Sequence, residues 1–366
     1  MIDVVHSIGK KGFRVRAADT AVSRRKLNIS VLPAVGYSLS TSLAAIVAGN
    51  ATFNTGAGSS QSSISSSVTY TANHQVIFPL QSQLYFGQDK YILNTDWRYL
   101  KYPSLSFGLG ARTTLDEGYT LDYSALRLHQ SVLRRIDKNV YLGIGWDFDY
   151  FWNIHELDTP SGQTFTDFTR YGARTTESAN GPVLSFQWDT RGNILNPQGG
   201  GLLKIDAHLH PKELGNEQNW RALTIDARKY FRLPASSQNV LAFWNYDWIT
   251  NHGKVPYLLL PNTGGDPSSN TGRGYIQGRY RGANFIYAEG EYRFRILNNG
   301  LLGGVVFGNA ESVSRYLGRG FSTIAPGYGA GIRIKVNKFS GANIAIDYGF
   351  GNDGSKGVFV NLGEVF

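Results

Sequence analysis

Apolar and polar residues alternate with a period of two over most of the chain. Between Ile286 and Ile296 every second residue is apolar, aromatic or glycine, and the residues between them include Glu289 and Glu291. A period of two is typical of β-strands whose two faces meet different surroundings. Because the same pattern recurs in many other segments, the sequence predicts an all-β protein whose strands carry charges on one face.

Sixteen segments fit this pattern, and many have the ~9–13 residues needed to cross a bilayer at a steep tilt. An even number permits closure, so the prediction is a transmembrane 16-stranded antiparallel up-and-down β-barrel over residues 42–366, with 1–41 as a basic tail and pre-barrel segment. Leu27–Tyr37 could be a further strand, but it would break the parity and is therefore assigned to that segment. The predicted strands are 42–54, 61–73, 75–87, 90–101, 104–115, 119–134, 139–154, 182–190, 200–210, 219–232, 239–250, 284–297, 301–310, 325–337, 340–350 and 357–366.

A soluble sandwich also shows alternating strands. Two further features favour the membrane barrel. Tyr and Trp residues collect near strand ends, as Tyr91 and Trp97 do, in the manner of interfacial aromatic girdles. The polar faces carry charges of both signs, which are too costly for a dry core and are expected in a wet or network-filled lumen.

Composition narrows the class of protein further. Only 17% of the 366 residues are charged, against about 25% in typical proteins, while the chain has 43 Gly, 21 Tyr and no Cys. This composition excludes a disordered chain, and the absence of Cys excludes a disulfide scaffold and a thiolate metal site. No stretch approaches the ~18 uncharged apolar residues of a helical membrane span.

The net charge of +9 lies mostly in residues 1–26, which hold seven basic and two acidic residues. A solvated tail is the preferred interpretation. The alternatives are a plug in the lumen or an arm on anionic lipid headgroups, and nucleic-acid binding ranks last. The segment lacks the apolar run of a secretory signal, so an exported protein is expected here in processed form.

Loop lengths predict the orientation of the barrel. The turns near 73–74, 101–103, 137–138, 298–300 and 338–339 are short, whereas 155–181, 251–283 and 311–324 are long. Short periplasmic turns and long external loops are the usual asymmetry of outer-membrane barrels. Both chain ends are therefore predicted to lie on the periplasmic side of a bacterial outer membrane.

The 33-residue connection 251–283 is too long for an ordinary loop and is expected to be functional or disordered. It is rich in Gly yet contains Tyr257, Tyr275 and other large apolar residues, which prefer contacts. If the connection folds inward, Arg273 can form charge-assisted bonds with the lumen carboxylates Glu289 and Glu291. The segment is then predicted to act as a plug, and it is called loop 6 below.

The segment 271–281 resembles the sixth external loop of the outer-membrane assembly and secretion barrels typified by BamA and TamA, also called the bacterial surface antigen family. The Arg-Gly-aromatic tip that folds into the lumen in that family is matched by Arg273, Gly274 and Tyr275. Further matches are Glu291–Phe294, Gly303–Ala310 and a turn with Asp, Arg, Asn-Pro and Gly. In that turn the matching residues are Asp189, Arg191, Asn196, Pro197 and Gly199.

The last segment, 357–366, resembles the assembly signal of bacterial outer-membrane barrels, with Gly357, Gly363 and a terminal Phe366. In two respects the chain departs from the family. Asn309 and Glu311 stand where the family's motif has Asp and Gly, so one carboxylate partner of the loop arginine is missing or replaced. Too few residues precede position 42 for even one periplasmic POTRA module, so a partner protein is expected to supply such modules if they are needed.

The resemblance implies a role in inserting or translocating outer-membrane components through a seam between 42–54 and 357–366, which glycines in the last hairpin would weaken. The competing hypothesis is a passive solute channel or a scaffold barrel plugged by loop 6. The partners implied are outer-membrane lipids, periplasmic or outer-membrane proteins, and the barrel assembly machinery for the chain's own insertion.

Enzymatic chemistry finds little support in the sequence. His208 and His210, with Asp206, can present two imidazoles on one strand face, but they are interpreted as polar lumen residues. No nucleophile elbow, phosphate loop or dinucleotide fingerprint occurs. The sequence therefore predicts no enzyme, no cofactor and no metal site.

Overall fold

The computed structural model describes residues 27–38, 40–56, 59–160, 164–336 and 341–366. Within these residues, seventeen antiparallel strands form one sheet. Their bounds are β1 Asn28–Ser38, β2 Ser42–Asn54, β3 Gln61–Thr71, β4 Val76–Phe86, β5 Tyr91–Lys101, β6 Ser104–Ser106, β7 Tyr119–Asp137, β8 Val140–Glu156, β9 Thr176–Asp189, β10 Gly200–His210, β11 Trp220–Arg232, β12 Val240–His252, β13 Asn284–Arg295, β14 Leu302–Ser314, β15 Ala325–Lys335, β16 Asn343–Phe350 and β17 Lys356–Leu362.

The strands form an up-and-down meander in which each long strand pairs with the next long strand. The short β6 pairs only with one end of β7, beside the β5–β7 ladder. The edge strands β1 and β17 approach each other to within 8 Å between Cα atoms. No hydrogen-bonded ladder joins these two strands among the described residues, so backbone pairing leaves the sheet open there.

Sixteen of the strands have seven or more residues, but the predicted set differs from the observed one at two places: one strand was missed and one predicted strand was wrong. Residues 28–38, expected to precede the barrel, form the edge strand β1 and pair along their whole length with β2. The predicted strand 104–115 keeps only three residues, because Gly108 and Gly110 adopt φ angles of +88° and +107° that end the extended conformation. The two errors offset each other in the strand count.

The same errors displaced the predicted ends of the barrel. The turn at 73–74 and the segment 101–103 lie at the end of the sheet that holds loop 6, not at the opposite end as predicted. Tyr102 shows this directly, because its hydroxyl donates to Oε1 of Gln277 in loop 6 at 2.7 Å. Burial raises the pKa of the Tyr102 phenol, which favours this neutral donor.

The turns at 137–138 and 298–300 do lie away from loop 6, together with the start of β1 and the end of β17. The edge pair is thus 28–38 with 356–362, and the predicted seam between 42–54 and 357–366 is corrected on its first side. The basic tail 1–26 and the turn at 338–339 lie outside the described residues.

The two faces of the sheet differ as the alternation predicts. Charged residues such as Asp149 and Glu291 are buried on the inner face. Apolar residues at the alternate positions are exposed on the outer face, and Ile144, for example, is 69% exposed. An exposed apolar surface of this extent is typical of contact with lipid or with another protein.

One α-helix, α1 (Asp167–Gly172), lies in the connection between β8 and β9 and is capped by the Thr166 hydroxyl. Among the described residues, no helix combines the length and the apolarity required to cross a bilayer. The space enclosed by the sheet is occupied by loop 6, whose aromatic residues Tyr257, Tyr275 and Tyr280 are buried in two apolar clusters.

Candidate functional site

Loop 6 connects β12 to β13 and folds into the space inside the sheet. The side chain of Arg273, at its tip, is 1% exposed. The guanidinium forms ion pairs with Glu289, with Glu291 at 2.6 Å and with Asp347 at 2.6 Å. It also lies over the ring of Phe307, 3.8 Å from the centroid. Arg273 therefore fastens the loop to β13, β14 and β16 at once.

These carboxylates belong to a larger buried network. Arg293 pairs with Glu291 at 2.5 Å, and Arg333 pairs with Asp347 at 2.5 Å. Among the described residues, Glu289 has Arg273 as its one guanidinium partner and otherwise accepts a hydrogen bond from the Tyr287 hydroxyl. Since a buried charge is stable only when it is paired, Glu289 depends on the loop more than the other carboxylates do.

Asp347 is a third carboxylate partner of Arg273, in addition to Glu289 and Glu291. The sequence had indicated that one carboxylate partner of this arginine was missing or replaced. Asn309, which stands at the position of the family's Asp, donates instead from Nδ2 to the backbone carbonyl of Arg273 at 2.9 Å. Glu311 accepts a hydrogen bond from the Thr263 hydroxyl of loop 6 at 2.9 Å. Sequence reasoning did not connect Asp347 with Arg273, although its inward position on a strand next to other charged strands was a usable signal.

Glycines on the facing wall make room for the loop tip. A Cβ atom on Gly349 would lie 2.7 Å from the Gly274 nitrogen, and one on Gly351 would lie 2.5 Å from the Tyr275 ring. Gly274 itself has a φ of +116°, which favours glycine. Two of the glycines expected to weaken the last hairpin therefore form the groove that receives Gly274 and Tyr275.

Tyr275 closes the contact with this wall. Its hydroxyl donates to the Pro326 carbonyl at 2.5 Å and accepts from the Asn352 nitrogen at 2.9 Å. The Ser355 hydroxyl donates to the Gly274 carbonyl at 2.8 Å. The tip is thus held by β15 and by the connection between β16 and β17.

The rest of loop 6 packs on the chain that follows β6. Arg279 donates to the Thr113 carbonyl at 2.6 Å and to its hydroxyl at 2.9 Å. The Gly110 nitrogen donates to the Arg281 carbonyl at 2.7 Å. The apolar alternation at 105–111, interpreted as part of a strand, therefore reflects burial of Phe107 and Leu109 inside the sheet.

The turn between β9 and β10 contains the residues matched to the family's turn motif. Arg191 makes a bidentate pair with Asp189, with contacts of 3.0 and 2.8 Å. Asn196 donates to the Gly341 carbonyl at 3.2 Å, and Pro197 is buried. A Cβ on Gly199 would meet no atom of the described residues within 4 Å. These residues form one compact turn. The space around position 199 does not require a glycine there.

This turn also holds the carboxy-terminal segment, since the Glu364 nitrogen donates to the Leu195 carbonyl at 3.0 Å. After β17, Gly363 adopts a φ of +101° and directs the chain inward. Phe366 is 3% exposed and stacks on Trp244, with ring centroids 5.2 Å apart. Gly357 stays within β17, where it pairs with Gly349. Phe366 therefore lies inside the sheet, near the charge network.

Comparisons with known proteins give the fold. No protein-family model and no curated protein matches the sequence. Among solved structures, BamA from Haemophilus ducreyi lacking POTRA domains 1–3 is 15% identical with a TM-score of 0.55, and the match covers 92% of this chain and 70% of that one. CdiB from Acinetobacter baumannii is 13% identical with a TM-score of 0.58, covering 94% and 61%. CdiB from Escherichia coli is 11% identical with a TM-score of 0.56, covering 92% and 67%.

The chain spans less than two thirds of the Acinetobacter CdiB chain. At these identities the likeness concerns the architecture, and the chain shares the fold of the BamA and CdiB barrels. That fold agrees with the predicted all-β antiparallel architecture.

Proposed function

We propose that the protein is an outer-membrane β-barrel that inserts or translocates outer-membrane components. The observation that carries the proposal is the junction between β1 and β17, which lie side by side without a backbone ladder. Every other pair of neighbouring long strands forms such a ladder. The shared fold with BamA and CdiB supports the same proposal.

An unpaired strand edge can accept another strand by backbone hydrogen bonding. β1 contains Pro33, which lacks a backbone donor and is tolerated in edge strands. β17 is only seven residues long, so few ladder bonds can form on its free side. A client strand could therefore pair with these edges at little cost in lost barrel structure.

The outer surface next to the junction is apolar. Val47 and Val68 face outward on β2 and β3 and are each 54% exposed. Strands that leave the barrel through the junction would thus enter lipid. We further propose that the start of β1 and the end of β17, and with them both ends of the chain, face the periplasm, where partner proteins would meet them. We also propose that the segment 357–366 serves the assembly machinery that inserts the chain itself.

Loop 6 sets the resting state in this proposal. The ion pairs of Arg273 and the aromatic packing of the loop hold it across the interior, so free passage of solutes is not expected even though cavities remain beside it. The passive-channel hypothesis predicts the reverse, a steady ionic conductance of the wild-type protein in a planar bilayer without any effect on other proteins.

A reversible lock at the junction tests the proposal. Because the natural chain has no Cys, a panel of cysteine pairs combining β1 with β17 can be cross-linked without competing thiols. The assay is the folding of an unfolded eight-stranded outer-membrane barrel into liposomes that contain the protein, followed by its gel mobility. We expect faster client folding with the reduced protein, loss of that acceleration on oxidation, and recovery with reductant.

The matched control is Val47→Cys with Val68→Cys, which joins register partners within the β2–β3 ladder and should leave client folding unchanged. If the wild-type protein gives no acceleration over empty liposomes, or if the locked junction accelerates as well as the open one, the insertion proposal is wrong. High steady conductance together with that result would favour the passive channel.

A further inference from the structure

A second polar cluster lies inside the sheet, on strands away from the Arg273 network. It consists of Asp147 on β8 and His208 and His210 on β10, all three of them buried. Each residue offers one ligand atom, and these atoms lie within 4.8 Å of one another. The three side chains also line an internal cavity of about 460 Å³, so a small solute inside the barrel can reach them.

The strand order explains why these residues meet. His208 and His210 are two positions apart on one strand and therefore face the same side. Asp147 lies on β8, and β9 separates it from β10. Its register partner on β9 is Gly181, which has no side chain, so the Asp147 carboxylate can cross β9 and reach His208. The distance between Asp147 Oδ2 and His208 Nδ1 is 2.7 Å.

His210 is the residue that points to a ligand. Its Nδ1 is buried and has no hydrogen-bond partner among the residues that the structure describes, and the residue as a whole is 2% exposed. A buried polar atom without a partner is costly and rare in native structures, so such an atom calls for an explanation. The ring is held in place by stacking on Trp220, with centroids 3.8 Å apart and an interplanar angle of 7°.

Neighbouring residues fix the other two side chains. The His208 ring stacks on Trp248 at 5.2 Å. The second oxygen of Asp147 lies 3.3 Å from Nδ1 of His129, whose Nε2 lies 2.6 Å from the Asp149 carboxylate. Outer carboxylate and histidine partners of this kind orient the ligands of protein metal sites.

We propose that Asp147, His208 and His210 bind one divalent transition-metal ion of the Zn²⁺ class. Two imidazole nitrogens and one carboxylate oxygen suit Zn²⁺ and its neighbours, whereas Ca²⁺ and Mg²⁺ require shells of oxygen ligands. With metal–ligand bonds of about 2.0–2.1 Å, the ligand atoms of a tetrahedral site are about 3.4 Å apart. Small side-chain rotations would bring the three atoms to that spacing, and the fourth position would open to the cavity.

The test uses the full chain, purified in detergent with no histidine tag, and titrated with Co²⁺ as a spectroscopic probe. We expect one Co²⁺ per chain, visible absorption typical of four-coordinate nitrogen and oxygen ligation, and displacement of Co²⁺ by Zn²⁺. The substitutions His210→Gln and Asp147→Asn should each weaken binding by about 100-fold, at least the loss seen when an outer partner is removed. His155→Gln changes an exposed histidine on β8 and should leave the affinity unchanged.

Gel mobility before and after heating shows whether each variant is folded. The proposal is wrong if the wild-type protein binds no Co²⁺ at millimolar concentration, or if folded His210→Gln binds as tightly as wild type. It is also wrong if His155→Gln loses as much affinity as the cluster variants. Should both cluster variants fail to fold, X-ray absorption at the zinc edge of the wild-type complex decides, since the proposed site requires two imidazole ligands and any other number overturns it.

Discussion

The ion pairs of Arg273 allow a quantitative prediction for the substitution Arg273→Ala. Of the three carboxylates that lose this partner, Glu291 keeps Arg293 and Asp347 keeps Arg333. Among the described residues, Glu289 keeps only the Tyr287 hydroxyl. Removing one member of a buried ion pair typically costs about 3–5 kcal/mol. Because only one carboxylate is left without a cation, we expect a cost of about 3 kcal/mol, near the lower limit of that range.

This cost should appear as opening of loop 6, since withdrawal of the tip lets water reach Glu289. A change of about 3 kcal/mol raises the population of the open loop by about 100-fold. Trypsin cleavage after Arg279, which is fully buried in the closed loop, reports that population when opening is fast relative to cleavage. The measurement is the rate at which the two fragments produced by cleavage after Arg279 appear in mass spectra.

The unpaired carboxylate of Glu289 can itself be removed by a second substitution. Adding Glu289→Gln to Arg273→Ala removes the unpaired charge, so the double variant should recover about 2 kcal/mol and be cleaved more slowly than the single variant. Arg228→Ala is the matched control, because Arg228 is paired with Asp226 on its own strand. Cleavage of folded Arg273→Ala at the wild-type rate, or no rescue by Glu289→Gln, would show that the unpaired Glu289 carboxylate does not control opening of the loop.

Two further predictions concern glycines. Gly349→Ala places a Cβ 2.7 Å from the Gly274 nitrogen and should speed loop cleavage about tenfold. Gly290→Ala, whose Cβ would be 3.5 Å from Phe243, should not change the cleavage rate. Equal rates for the two variants would show that Gly349 is not needed to receive the loop tip. Gly363→Ala strains a residue at φ +101° and should cost about 1 kcal/mol, releasing the carboxy-terminal segment to carboxypeptidase digestion. Gly199→Ala, whose Cβ would meet no described atom within 4 Å, is its control. Equal digestion of the two variants would show that the inward bend does not depend on Gly363.

The alternation of the sequence was enough to predict the sheet, because an inner charged face and an outer apolar face impose a period of two on every strand. It could not distinguish a strand from other buried chain. The apolar residues at 105–111 alternate because they pack beneath loop 6, and the glycine conformations that end β6 leave no mark on the pattern. The requirement for an even number of strands then excluded β1 from the prediction, although its residues pair fully with β2.

The candidate site was predictable only in part. The inward parity of β13 placed Glu289 and Glu291 on the face that Arg273 reaches. Asp347 lies 74 positions from Arg273 in sequence, and only the closeness of the tip to β16 joins them. The inward bend of Phe366 depends on a single backbone angle at Gly363, which composition and periodicity do not encode.

The placement of loop 6 gives the barrel an uneven stiffness. The loop links two parts of the sheet across the interior. Arg273 binds it to the wall formed by β13–β16, and the Tyr257 nitrogen donates to the Glu177 carboxylate of β9 at 3.1 Å. On the side of β2 and β3, by contrast, a cavity of about 1120 Å³ separates the loop from Ala48 and Ser63. A lateral force on the junction would therefore bend the β1–β3 flank first, while the opposite flank would serve as the rigid support.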